Sequence, residues 1–337
     1  MVELQEIFDV VDMHVAGEPL RIITSGYPAL PAGSVLDRRE YLQEHLDRYR
    51  RMLMLEPWGH EDMYGCLVVE PERQDSLYGL IFLHNEGYST MCGHAIIAVT
   101  RWLVETRKVS VPSGADDVTI KMDVPSGQIM AHARLRGDQV VSVWFENVPA
   151  FAVALNRTLV VAGREVVLDV GFGGAYYAVV KAAQLGLSVE PDAADALREW
   201  AGAIKAEVEP LHLTQHPEDA RLSGLYGVIF TDPPHDPEHY SRNLTIFANG
   251  QVDRSPCGSC VSTRLAVWNA KRTIEHGRSY AIESITDSVF TGSIVGEGRQ
   301  VGDFSTVRTV VEGQAYFSGF RRFFGSSHDA VSPFLLR

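Results

Sequence analysis

Met91-Cys92-Gly93-His94-Ala95 and Ser255-Pro256-Cys257-Gly258-Ser259 decide how this chain of 337 residues is read: each sets a Cys-Gly pair directly before an apolar helical run, one in each half. A cysteine at a helix start lies against unpaired backbone N–H groups and the positive end of the helix dipole, which favours thiolate over thiol. The same N–H groups hold a carboxylate. One such motif per half suggests two similar lobes closed on a cleft, with a helix N-terminus from each aimed at one small carboxylate-bearing ligand.

Outward from these motifs the chain is strand-rich. Phe8 to Met13 and Leu20 to Thr24 read as strands joined at Gly17, and Asp37 to Leu55 as one amphipathic surface helix with Leu42, Leu46, Tyr49 and Leu53 at helical spacing. The run after Cys92, from Ala95 to Val104, is apolar nearly all round, so sheet should enclose it. Alternating strands follow from Val118 to Asn147, broken at Pro125-Ser126-Gly127 and Gly137-Asp138. The second half repeats the plan: a hairpin turning at Ala162-Gly163, a flexible Gly171-Phe172-Gly173-Gly174, a helix over Asp192 to Val208, strands, the Cys257 helix, then more strands. The class is α+β, each half a sheet wrapped about one buried helix. Symmetry sets the division: 1–146 with Cys92, joined by 315–337, and 147–314 with Cys257.

Composition excludes several classes. A net charge of −13 argues against nucleic acid or an anionic membrane surface, both of which need clustered Lys and Arg. The start, Met1-Val2-Glu3-Leu4-Gln5-Glu6, is acidic where a signal peptide is basic, and no apolar stretch nears the roughly 20 residues of a membrane span. A cytosolic protein is expected. Cys66, Cys92, Cys257 and Cys260 are too sparse for a disulfide framework and should be reduced; Cys66, inside an apolar strand, reads as a small buried hydrophobe.

Cys92-Gly93-His94-Ala95 and Asp253-Arg254-Ser255-Pro256-Cys257-Gly258-Ser259 resemble the two signature motifs of the proline racemase superfamily, whose fold is diaminopimelate epimerase-like. The resemblance runs along nearly the whole chain, through Asp12-Met13-His14, Gly17-Glu18-Pro19-Leu20-Arg21, Glu56-Pro57, Gly59-His60, Asp62-Met63-Tyr64-Gly65, His84-Asn85-Glu86-Gly87-Tyr88-Ser89, Gly173-Gly174-Ala175 and Thr291-Gly292. Gly173 to Ala178, and Gly258-Ser259 followed by Val261 and Arg264, look like the trans-3-hydroxy-L-proline dehydratase branch. Two departures stand out. Animal dehydratases carry threonine where this chain keeps Cys257, as racemases and epimerases do, and Cys260 occupies a position that is usually glycine.

The resemblance implies Cys92 and Cys257 as catalytic thiols flanking an α-carbon. It implies that backbone at Gly93, His94, Gly258 and Ser259 holds a carboxylate, and that Asp253, assisted by His94, pairs with a ring nitrogen. It also implies a homodimer and no cofactor or metal. The reaction expected is dehydration of trans-3-hydroxy-L-proline to Δ1-pyrroline-2-carboxylate, with 4-hydroxyproline 2-epimerisation or proline racemisation as the alternative. His60, Asp62 and Tyr64 divide between lining the site and shaping loops. Cys257-Gly-Ser-Cys260 also has the format of a thiol redox centre or half a zinc site, a weaker reading because no second C-x-x-C completes it.

Overall fold

The structure, a computed structural model, describes residues 6–326 and 329–336; Met1 to Gln5, most of the acidic start, lie outside the described residues. Five α-helices are present among the described residues: α1 (Val35–His45), α2 (Asp47–Met54), α3 (Gly93–Glu105), α4 (Ala194–Val208) and α5 (Gly258–Ala270). None is long and apolar enough to cross a membrane.

The strands form one continuous hydrogen-bonded sheet whose two halves, here called the first and second sheets, share one plan and join at a single seam. In the first, Ala315–Gly325 pairs antiparallel with Glu6–Val15, followed by Glu18–Ser25, then Tyr64–Val69 in parallel, Tyr78–His84, Asp117–Val124 in parallel, Gly127–Arg136 and Gln139–Glu146. The second runs from Phe151–Val161 through Arg164–Phe172, Tyr176–Lys181, Leu225–Asp232 in parallel, Ser241–Phe247, Tyr280–Glu283 in parallel, Val289–Glu297 and Val307–Gly313. Pairing of Val307–Gly313 with Gln139–Glu146 is the seam. The parallel pairs fall at equivalent places in the two sheets, so the late strand Ala315–Gly325 fills beside Glu6–Val15 the place that Phe151–Val161 fills beside Arg164–Phe172.

Each sheet curls round one helix. Along α3, Ala95, Ile96, Ile97, Ala98, Val99 and Leu103 are all fully buried, and Val261 and Leu265 are so along α5. A helix buried on every side has no polar face to give water, which is why its sequence lacks amphipathic alternation. The other helices cover the outer faces. The run expected to be one helix over Asp37 to Leu55 is two, because Leu46 leaves helical geometry (φ −129°, ψ 16°). The bend brings Tyr49, Met52 and Leu53 into the core cluster of Leu42 and Phe8. A Ser34–Asp37 capping box starts α1, and the Asp47 carboxylate at the head of α2 takes the Arg50 guanidinium at 2.6 and 2.7 Å. On the second sheet α4 buries Leu197, Ala201, Ile204 and Val208.

The two central helices meet end to end. A Cβ built on Gly93 would stand 2.5 Å from the Gly258 Cα, and one on Gly258 2.7 Å from the Gly93 Cα, with the Phe145 ring about 3 Å from either. Nothing larger than glycine fits at this junction. Gly171-Phe172-Gly173-Gly174, expected to be flexible, is packed for the same reason: a Cβ on Gly173 would fall 2.3 Å from the Ser259 carbonyl oxygen and one on Gly174 2.6 Å from Met91. Asn147 ties this segment down, its amide donating to the Gly173 carbonyl at 2.9 Å and to Ser262 Oγ at 2.8 Å.

Gly93→Ala should destabilise the protein by about 1–3 kcal/mol, the range for overpacking a filled site. Gly202→Ala, on α4 where an added Cβ meets open space, should stabilise it by about 0.5–1 kcal/mol. Urea titration of both variants beside the wild type checks the contrast in sign.

Candidate active site

The junction of α3 and α5 opens into a small cavity. Cys92, Gly93, His94, Asp253, Cys257, Gly258 and Ser259 all line it. So do Tyr64, Met91, Tyr177, Tyr226, Thr245 and Phe247. Of the residues left open by the sequence, Tyr64 faces the cavity, Asp62 is buried beside Arg254 at 3.4 Å, and His60 turns to the Glu61 carbonyl. Tyr226, Thr245 and Phe247 had no motif to mark them, and Tyr177 lies within the Gly173 to Ala178 stretch without being marked as a site residue. They sit in strands buried at nearly every position, and only strand pairing aims them at the cavity.

The two cysteines hold their helices differently. Cys92 is the N-cap of α3, its sulfur accepting from the Ala95 N–H at 3.4 Å and lying 3.2 Å from His94 Nδ1. Cys257 precedes α5 at φ +60°, a strained backbone for a side chain with a Cβ. Its N–H donates to Ser255 Oγ at 3.1 Å, and its sulfur is 3.5 Å from Ser259 Oγ. The Pro256 carbonyl before it accepts from the Asn243 amide at 3.0 Å, and Asn243 in turn accepts from the buried Arg264 at 2.9 Å. Ser259 Oγ is paired with the Tyr177 hydroxyl at 2.8 Å.

Burial dominates the electrostatics. It raises the Cys92 thiol well above its ordinary range, outweighing the pull of the Ala95 N–H, so the site by itself favours thiol over thiolate, the reverse of what helix position alone suggests. His94 is pushed down to about 3 by burial and is neutral, its ring donating to the Pro19 carbonyl. Asp253 accepts from the Ser255 N–H at 2.8 Å and hydroxyl at 2.7 Å, yet burial holds its carboxyl up, to about 6. Glu18, fully buried under the same turn and accepting from the Arg254 N–H at 2.8 Å, is raised by burial and by Asp253. Tyr64 pairs with Ser89 Oγ at 2.5 Å. Beside them lies the buried Tyr226 hydroxyl, which interacts with both Tyr64 and Ser89, and burial raises it well above the ordinary phenol range.

Cys66 is fully buried in its strand, and burial raises its thiol. Cys260 is equally buried, its sulfur accepting from Thr245 Oγ1 at 3.2 Å; all four cysteines are free thiols.

Two buried helices meeting nose to nose, each starting at a cysteine that lines one small cavity, have the architecture of a diaminopimelate epimerase-like fold. The chain belongs to the proline racemase family, whose sequence model matches residues 10–333. It is 41% identical to a trans-3-hydroxy-L-proline dehydratase of Bacillus thuringiensis, covering 95% of each chain. It is 41% identical to the trans-L-3-hydroxyproline dehydratase of Mus musculus, over 92% of this chain and 89% of that one. Its fold matches the crystal structure of a hydroxyproline epimerase from Agrobacterium vitis with bound trans-4-hydroxy-L-proline. That match has a TM-score of 0.91 at 27% identity, over 100% of this chain and 97% of the other.

An unfolded aspartate titrates near 4, so the folded protein holds the Asp253 proton more tightly than the unfolded chain does. The cost of burying this carboxyl is absent below about pH 4, grows through the window up to about 6 and is complete above it. The stability of the wild type relative to Asp253→Asn should therefore rise as pH falls from about 7 to about 4. Urea titrations at several pH values check it, a flat difference meaning that the carboxyl is not held up.

Proposed function

We propose that the chain removes water from trans-3-hydroxy-L-proline to give Δ1-pyrroline-2-carboxylate, with Cys92 as the base. One observation carries the reading: a cysteine at each of two abutting helix N-termini facing one small cavity, in a chain 41% identical to relatives bearing that activity's name. The backbone N–H groups at Gly93, His94, Gly258 and Ser259 hold the substrate carboxylate and stabilise it as it gains enolate character. Asp253, ionised above about pH 6, pairs with the protonated ring nitrogen. Bringing that positive nitrogen into the cavity lowers the Cys92 thiol towards the thiolate that burial otherwise disfavours.

In this substrate the hydroxyl is trans to the carboxylate, hence on the face of the α-hydrogen. The Cys92 thiolate takes the α-proton, the electron pair forms the Cα–Cβ double bond, and the Cβ–O bond breaks. The proton then returns from the Cys92 thiol to the departing hydroxide, and water leaves. The enamine tautomerises to the cyclic imine. Elimination uses one face, so Cys257 is dispensable for it.

Inversion needs both faces, and the retention of Cys257 favours a second activity, epimerisation of 4-hydroxyproline or racemisation of proline. The fold match to an epimerase holding trans-4-hydroxy-L-proline supports it. A cytosolic homodimer without cofactor or metal is the form this reading carries, and sedimentation of the purified protein tests the dimer.

Purified protein with trans-3-hydroxy-L-proline, trans-4-hydroxy-L-proline and L-proline in turn, with no cofactor added, should form the pyrroline product from the first. Cys92→Ser should lose at least about 100-fold in every activity. Cys257→Thr should keep dehydration within about tenfold and lose inversion. Brisk inversion of trans-4-hydroxy-L-proline without pyrroline formation would instead make the epimerase reading the main one. Equal loss of dehydration in the two variants would sink the one-face mechanism.

A further inference from the structure

A second, more open cavity lies beside the first, and Tyr226 lines both. Its walls come from opposite halves of the chain. Arg39, Asp47 and Arg50 on α1 and α2 form one side, and Lys205 on α4 with the strand ends at Tyr226 and Ala248 forms the other. His84 partitions the two cavities. Its buried ring stands 5.8 Å from the Tyr64 ring and 6.0 Å from the Tyr226 ring, and its carbonyl takes Arg50 at 2.9 Å.

The cations here are differently committed. Arg50 is bound to Asp47 through two hydrogen bonds. Arg39 donates to the Tyr88 carbonyl at 2.7 Å, and Lys205 Nζ to the Ala248 carbonyl at 2.6 Å and the Tyr226 carbonyl at 3.4 Å. Carbonyl dipoles orient a cation without cancelling its charge. Both groups are half-buried, and burial lowers the pKa of each; all three cations together press on His84, which burial and their fields push down to about 3. Glu86 stands on the same wall, so the lining itself holds three cations against two carboxylates in a chain of net charge −13; Glu40, already paired with Arg221, and Glu209 act on Arg39 and Lys205 from outside it. A local excess of positive charge in a low-dielectric cleft concentrates anions that the protein as a whole repels.

We propose that this cavity is a carboxylate subsite in series with the reaction cavity, where the carboxylate of substrate or product docks between Arg39 and Lys205 on its way past Tyr226. This rests on the reading that the substrate is a cyclic amino acid. Because the two cations belong to different halves, a carboxylate held between them also ties the walls of the cleft together.

Two measurements test it. Arg39→Gln and Lys205→Gln should each lower kcat/KM for the hydroxyproline substrate by roughly three- to tenfold at low salt, mostly through KM. The gap should narrow at about 0.5 M NaCl, and Arg39→Lys should restore most of the loss. Independently of turnover, acylation of Lys205 by an amine-reactive ester, read by peptide mass, should be slowed several-fold by L-proline in the wild type and in Cys92→Ser, and much less in Arg39→Gln. Wild-type kcat/KM and salt dependence in both Gln variants, or no protection of Lys205, overturns the subsite. A wild type inactive on every hydroxyproline refutes the assigned reaction instead, and protection of Lys205 then decides the subsite alone.

Discussion

Two helix N-termini pointing at each other is an arrangement that an empty protein resists, since each end presents unpaired N–H donors and the positive pole of its dipole. Here they approach until glycine touches glycine, with the Phe145 ring against both. What sits in front of such a junction should be an anion, small enough for the cavity and able to accept from both helices. The rest of the fold serves this constraint. Each helix is fixed by the sheet wound about it, the seam at Gln139–Glu146 and Val307–Gly313 fixes one sheet on the other, and Asn147 locks the Gly173 turn to α5 beside the seam.

Burial makes the same site by itself reluctant to hold charge. Cys92 keeps its proton, His94 stays neutral, and Asp253 and Glu18 are drawn towards their protonated forms. A zwitterion brings its own opposed charges and finds partners for both, so ionisation of the site and binding of the ligand become one event. The desolvation that suppresses the thiolate in the empty cavity also strengthens its interaction with the ligand once bound.

The sequence carried the parts whose signal is local. The Cys-Gly pairs, the all-apolar helices behind them and the turn residues between strands are each read within a few positions, and they yield the α+β plan and the residues at the helix junction. What it hid is set by contacts between distant segments. The break at Leu46 depends on the core that Tyr49 and Leu53 must reach, and the four-glycine turn looks mobile until α5 is laid against it. Tyr226 and Tyr177 reach the cavity only through the register of Leu225–Asp232 on its neighbours. The charge state of Cys92 was read from its helix position, which gives the sign of one contribution and says nothing of the burial that outweighs it.

The strand Ala315–Gly325 lies against Glu6–Val15, although the whole second sheet intervenes in sequence. During synthesis the segment that wraps α5 can therefore be assembled while the earlier sheet still lacks one of its strands, leaving Glu6–Val15 with an open edge until the ribosome has released residues beyond 325. The first half to be made is the last to be finished. An edge left unpaired that long is exposed to pairing with other chains, so arrest of translation shortly before residue 315 would produce a species prone to aggregate rather than a smaller working protein.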